Sequence, residues 1–228
     1  MLLNVIRNGG DAITIAISVF ATLIVLFVAF PIHECAHGVM AKWLGDDTAE
    51  RSGRLTLNPF THLDPLGALG MFLFGIGWAK PVPVNPTRCR KVSMKAGMAI
   101  TAAAGPLSNI LLSYVFMIIY KIILFTNVGG NETTVYIALA ILYVIKINLF
   151  LAVFNLLPIP PFDGSRIFLA FLPTKYYFKI MQYERIIMIA VLALLWTNVL
   201  DIPLDIATGW LFNLLDFASG FVNVIFTL

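Results

Sequence analysis

Charge is what this sequence has least of. Of its 228 residues only 12% are charged against 60% hydrophobic, and the mean hydropathy is +0.91. Polar groups are too few to cover a water-soluble globule, which leaves a membrane protein. Cysteine is also scarce: Cys35 and Cys89 cannot build a disulfide framework, and Cys35 lies in an apolar tract where a thiol acts as a small hydrophobe. Repeats, low-complexity runs and separating linkers are missing, so 1–228 reads as a single domain. The N-terminus has little positive charge, only Arg7 before Asp11, and no small-residue cleavage pattern after its apolar run. A retained first span is therefore expected rather than a removable signal peptide.

What the chain does have is apolar length. Tracts near 11–31, 98–125, 133–157 and 184–202 are long enough, at about 20 residues each, to cross roughly 30 Å of hydrocarbon. A fifth tract, 203–228, contains Asp205, Asp216, Gly209 and Gly220, and fits a span, an interfacial helix or a partial helix. The expected fold is an all-α polytopic membrane protein with about five to six transmembrane helices. Basic residues gather in 42–95 and 166–185, whereas the connection at 126–132 has none. The positive-inside rule then puts both basic stretches in the cytoplasm and the N-terminus outside, as in a multi-pass protein of the cell membrane. These clusters abut apolar spans and lack interleaved stacking aromatics, which favours the headgroups of the lipid bilayer over nucleic acid as their partner.

The first tract continues past Pro31 as "HECAHGVMAKWLG" to Gly45, a plausible helix stop. A helix over 12–44 would be about 50 Å long at 1.5 Å per residue, more than a bilayer needs, with a kink expected at Pro31. Segment 46–95 is a polar, turn-rich cytoplasmic or re-entrant loop with a β-like character of one or two short strands; "MFLFGIGW" within it is too short to span. The Val-Pro alternation of "KPVPVNP" allows an edge strand at best.

The chemistry concentrates in "HECAH". His33 and His37 are four apart, so a helix sets both imidazoles on one face, where they can share a metal, and Glu34 projects beside them toward a metal-bound water. The chain has three histidines and four glutamates, yet two and one of them fall in this frame, and ionisable groups in a span are costly enough to imply function. Zinc needs a third protein ligand if one position is to stay open for catalysis. Asp163 is the best candidate: it follows the return span at the same membrane face, where Pro158, Pro160 and Pro161 free backbone groups that only a cavity or buried protein would tolerate. His62, among turn residues, is expected to be structural. Asp46 and Asp47 read as a solvated helix end, and Lys121 and Lys146 as snorkelling or paired.

Three ordered motifs, "HECAHG", "AAAGPLSN" and "FNLLPIPPFDG", together with "NPFTHLDPLG…GWAKPVPVNP", make the chain resemble the site-2 protease family of intramembrane zinc metalloproteases, in its compact prokaryotic form without a PDZ or CBS domain. The resemblance implies one Zn2+ per chain held by His33, His37 and Asp163, and Glu34 as the base that activates the zinc-bound water. It further implies Asn155, and with it Asn109, as donors near the substrate carbonyl. The implied activity is an endopeptidase acting in or near transmembrane segments of membrane protein substrates, through a cavity open to the cytoplasm. A substrate helix hides its carbonyls and must unwind, so Val82 and Val84 of the extended segment are expected to pair with it as an added strand. A homo-oligomer is left open. The competing readings are a metal-ion transporter and a non-catalytic membrane scaffold using the same His/His/Asp site; the transporter has little need of Glu34 beside the ligand set.

Overall fold

Asp11 opens the first long helix by accepting a hydrogen bond from Thr14 N at 2.9 Å, and the apolar run behind it has no glycine before Gly38. In the computed structural model, which describes residues 2–75, 77–126, 130–197 and 199–227, this run forms α1, Ala12–Leu44. Gly45 stops it at φ 109°, returning its N–H to Ala41 and Lys42. The expected kink at Pro31 is met differently. The ladder widens one turn earlier into a π-helical stretch, Val25–Ala29, where Phe30 N–H bonds Val25 O. Pro31 has no N–H to give and would crowd the carbonyl four residues back, and an added residue in the preceding turn relieves both.

Two further helices are long and apolar: α2, Met94–Thr126, and α3, Glu132–Asn155, which starts at an Asn131 cap. With α1 they make three helices able to cross a membrane by length and composition, and this is a membrane protein of all-helical build. Residues 127–129 of the basic-free connection lie outside the described residues. Small residues let α2 approach its neighbours closely: Ala102, Ala104 and Gly105 are buried where α2 packs against α1. The remaining chain forms α4, Asp163–Leu169, then Thr174–Met181, α5, Glu184–Trp196, α6, Asp201–Ala218, and Phe221–Thr227. The tract expected as one span over 184–202 is thus shorter: α5 has 13 residues, about 20 Å at the helical rise.

Segment 46–95 contains no strand among the described residues. Its sole β-feature there is a bridge between Leu63 and Ala79, because Pro81, Pro83 and Pro86 remove the donors a ladder needs. Short helices take the place of the expected strands. Pro65–Phe74 packs beside α1, burying Met71 against Ala21, Val25 and Phe30, so the loop runs back along the flank of α1 before "KPVPVNP" returns to its far end. The phenyl rings of Phe27 and Phe60 meet edge to face on the way, 5.9 Å apart.

Polar ties join the helices where lipid offers no alternative partner. The fully buried Asn148 of α3 donates to Asn109 O at 2.7 Å and Ser113 Oγ at 2.9 Å on α2. Lys121 donates to Asp216 O at 2.6 Å and pairs with its Oδ1 at 2.9 Å, fastening α6 to α2, which is the paired alternative of the two expected for this lysine. Replacing Asn148 with Ala should lower the unfolding free energy in detergent by about 1 kcal/mol, the usual size of an interhelical hydrogen bond in a membrane protein, as read by denaturant titration.

Candidate metal centre

The helical period of α1 brings His33 and His37 onto one face, and their Nε2 atoms lie 3.1 Å apart. Asp163 reaches them from the first turn of α4. Its Oδ2 is 3.2 Å from His33 Nε2 and 3.3 Å from His37 Nε2. The prolines after α3 end that helix and turn the chain so that α4 begins under α1 with the carboxylate inward. Four ligands at about 2.0–2.1 Å around a tetrahedral ion are separated by roughly 3.3 Å, so these three atoms have the spacing of three corners of a zinc tetrahedron.

The donors also suit a cation. Burial pushes the Asp163 carboxyl up, but hydrogen bonding from His33 and His37 and their charge outweigh it and hold the group below the usual carboxylate range, as an anionic ligand requires. His37 Nδ1 donates to Thr101 O at 2.8 Å, so that once Nε2 gives up the proton it shares with Asp163 its lone pair is free for a metal. His33 Nδ1 has no partner among the described residues. Gly105 of α2 lies directly against both rings: a Cβ there would come within 2.6 Å of His33 Cε1 and closer still to His37.

Glu34 is 8% exposed, and its Oε2 accepts the Val82 N–H at 2.9 Å. Its carboxylate and the metal-binding trio share one cavity of about 610 Å³. Asn109, Asn155, Val82 and Val84 also line it, so every residue expected at the site borders the same space. Their present bonds differ. Asn155 Nδ2 donates to Leu151 O at 3.0 Å, one turn back on α3, and Asn109 Oδ1 is buried without a partner among the described residues. His62 lies apart, fully buried with Nε2 2.7 Å from Thr56 O, in the structural role expected of it.

Asp46 corrects its expectation as a solvated residue. It is 0% exposed and accepts hydrogen bonds from Asn85 N, Thr48 N and Thr48 Oγ1. Asp47 is the surface member of the pair, bound by Arg51 at 2.6 Å and Arg88 at 2.7 Å; despite some burial, those guanidinium groups hold its carboxyl below the usual range. Thr101, Gly105, Arg166 and Glu184 reach the site or its cavity without having been singled out. Gly105 alone had a signal, as the smallest residue of "AAAGPLSN".

Comparison with known proteins bears on this geometry. The family model described as Peptidase family M50 matches residues 121–197, a stretch that includes Asp163. A Bacillus subtilis protein named "Putative zinc metalloprotease YwhC" is 39% identical over 166 residues, 71% of this chain and 74% of the relative. "Putative zinc metalloprotease MJ0611" of Methanocaldococcus jannaschii is 42% identical over 66 residues, 29% of this chain and 30% of its own. "Putative zinc metalloprotease Rip2" of Mycolicibacterium smegmatis is 28% identical over 138 residues, covering 58% and 50%. No solved structure matches.

The contact of Gly105 with both imidazoles yields a direct test. Gly105→Ala should push the rings apart and weaken zinc binding about ten- to a hundredfold, the range seen when groups supporting a ligand are disturbed. Zinc per chain after dialysis against a graded chelator series reads this out.

Proposed function

Because this chain belongs to peptidase family M50, the site-2 protease family, and is a zinc metalloendopeptidase, we propose that it cleaves transmembrane segments of other membrane proteins at the site where α1 and α4 meet. The observation that supports this most is the tetrahedral spacing of His33 Nε2, His37 Nε2 and Asp163 Oδ2, with Glu34 beside them in the same cavity. Those three atoms would hold the ion. When bound, zinc supplies a Lewis acid that polarises a carbonyl and makes water acidic near neutral pH.

The chain's own residues do the rest. Glu34 takes the proton of the attacking water and returns it to the leaving amine, using the carboxylate oxygen not engaged by Val82. Asn155, and Asn109 behind it, would offer amide N–H groups to the oxyanion; Asn155 would have to share or release its bond to Leu151 O. A largely apolar cavity wall that includes Phe30, Leu151, Phe154 and Phe162 suits an unwound hydrophobic peptide.

The extended segment can grip such a peptide with what its own contacts leave over. Lys80 N bonds His62 O, Val82 N bonds Glu34, Asn85 N bonds Asp46, and Arg54 holds the carbonyls of Lys80 and Pro81. Val84 N–H and the carbonyls of Val82, Pro83 and Val84 have no partner among the described residues, and they are the groups we assign to strand addition with substrate. The basic 42–95 and 166–185 stretches support a cytoplasmic opening in the cell membrane, with 1–228 acting as one catalytic domain. The described helices long and apolar enough to cross are α1, α2 and α3; at about 20 Å, α5 is too short to be counted with them. The family assignment disfavours the transporter and scaffold readings.

Glu34→Gln should keep zinc while cleavage of a membrane-embedded peptide drops by a factor of about 10² to 10⁴, the share general-base catalysis supplies. Loss of zinc in that variant would recast Glu34 as a ligand. Val84→Pro, which deletes the free N–H, should raise KM several-fold with kcat and zinc content kept; an unchanged KM would remove the strand-addition step.

A further inference from the structure

Residues 80–85 are fixed to α1 and its C-terminal turn by two carboxylates. One is Glu34, through Val82 N–H at 2.9 Å. The other is Asp46, just beyond the helix stop at Gly45, through Asn85 N–H at 2.5 Å. Asp46 is fully buried, and no cation pairs with it among the described residues; its remaining bonds go to Thr48 N at 3.0 Å and Thr48 Oγ1 at 2.5 Å. A buried carboxylate held by neutral donors is costly to maintain unless all its lone pairs are used, and here one oxygen is spent on the helix end and the other on the distant segment. Its half-buried neighbour Asp47 makes the ion pairs expected of a surface acid, so solubility does not explain Asp46.

We propose that Asp46 is a positioning residue for the proteolytic reaction: by pinning Asn85 it sets where Val82 N–H sits, and Val82 N–H in turn holds the Glu34 carboxylate in its working rotamer. Only two residues, Pro83 and Val84, lie between Val82 and Asn85, and Pro83 has a fixed φ, so the strut transmits the anchor. Lys80, held by His62 O and Arg54, anchors the other end. Glu34 has several rotatable bonds, and confining one oxygen against Val82 lowers the entropy to be lost when the other meets the attacking water.

This inference rests on Glu34 being the catalytic base, and its test separates the two ideas. The full chain in lipid nanodiscs is given a quenched fluorescent peptide containing one apolar segment of about 20 residues. Wild type, Asp46→Asn and Glu34→Gln are compared for kcat, KM, zinc per chain and amide hydrogen exchange over 80–86. In that window Val82, Val84, Asn85 and Lys80 are the residues with exchangeable N–H, since 81, 83 and 86 are proline. Asp46→Asn replaces one accepting oxygen by a donor, so it should keep zinc, speed exchange in 80–86 at least tenfold, and lower kcat about ten- to a hundredfold, with any rise in KM from the loosened strip smaller than the fall in kcat.

An unchanged kcat with faster exchange, a lowered kcat with unchanged exchange, or a rise in KM alone would each overturn the proposal. Should Asp46→Asn lose zinc or fail to fold, Asn85→Pro deletes the donor from the other side of the same bond while Asp46 still caps Thr48, and the same criteria apply to it. Wild-type cleavage that does not depend on Glu34 would remove the underlying reading, whereas Glu34-dependent cleavage indifferent to both variants overturns this inference alone.

Discussion

Two imidazoles and a carboxylate within 3.3 Å of one another, inside a helix bundle that is otherwise nearly uncharged, call for something that gathers their electron pairs. A divalent ion does so, and most of the fold can be derived from the need to keep that arrangement intact in lipid. The ligands come from two segments far apart in sequence, α1 and α4. Their meeting depends on α2, whose Gly105 and Thr101 press against the rings, and on α3, which ends in prolines just where Asp163 must turn inward. Packing by small residues and single interhelical hydrogen bonds, rather than a water-driven core, holds these helices together.

The polar work of catalysis also has to be supplied at a depth where free backbone is expensive. Segment 46–95 meets this need. It folds back along α1, buries Met71 against the helix, and returns as an extended strip with three of its donors already assigned: one to Glu34, one to Asp46, one to His62. Val82 and Val84 of that strip border a cavity lined mainly by apolar side chains. The prolines that prevent the strip from forming a sheet of its own keep its unassigned groups available.

Much of this was legible in the sequence because it is periodic or punctuated. His33 and His37 follow the helical repeat, the long apolar tracts announce their helices, and the prolines before Asp163 mark a break where a ligand can enter. Asn109 and Asn155 were reached through motif likeness, Val82 and Val84 through the extended Val-Pro segment, and all four border the cavity. Other features depend on partners far away in the chain. Asp46 stands beside another aspartate after a helix stop, which locally reads as solvated, and only the approach of Asn85 reveals it as buried. Lys121 and Asp216 likewise cannot be matched before α6 is placed. Pro31 signalled an irregularity correctly, but the helix absorbed it upstream in Val25–Ala29, since the strain of a proline falls on the preceding turn.

X-ray absorption at the zinc edge tests the central claim most directly, because it reads the ion's neighbours without requiring a substrate. The account predicts nitrogen and oxygen neighbours at about 2.0–2.1 Å, outer scattering from two imidazole rings, and no sulfur, with one oxygen lost in Asp163→Ala. A sulfur neighbour at about 2.3 Å, implicating Cys35 or Cys89, or a spectrum unchanged by loss of Asp163, would contradict it.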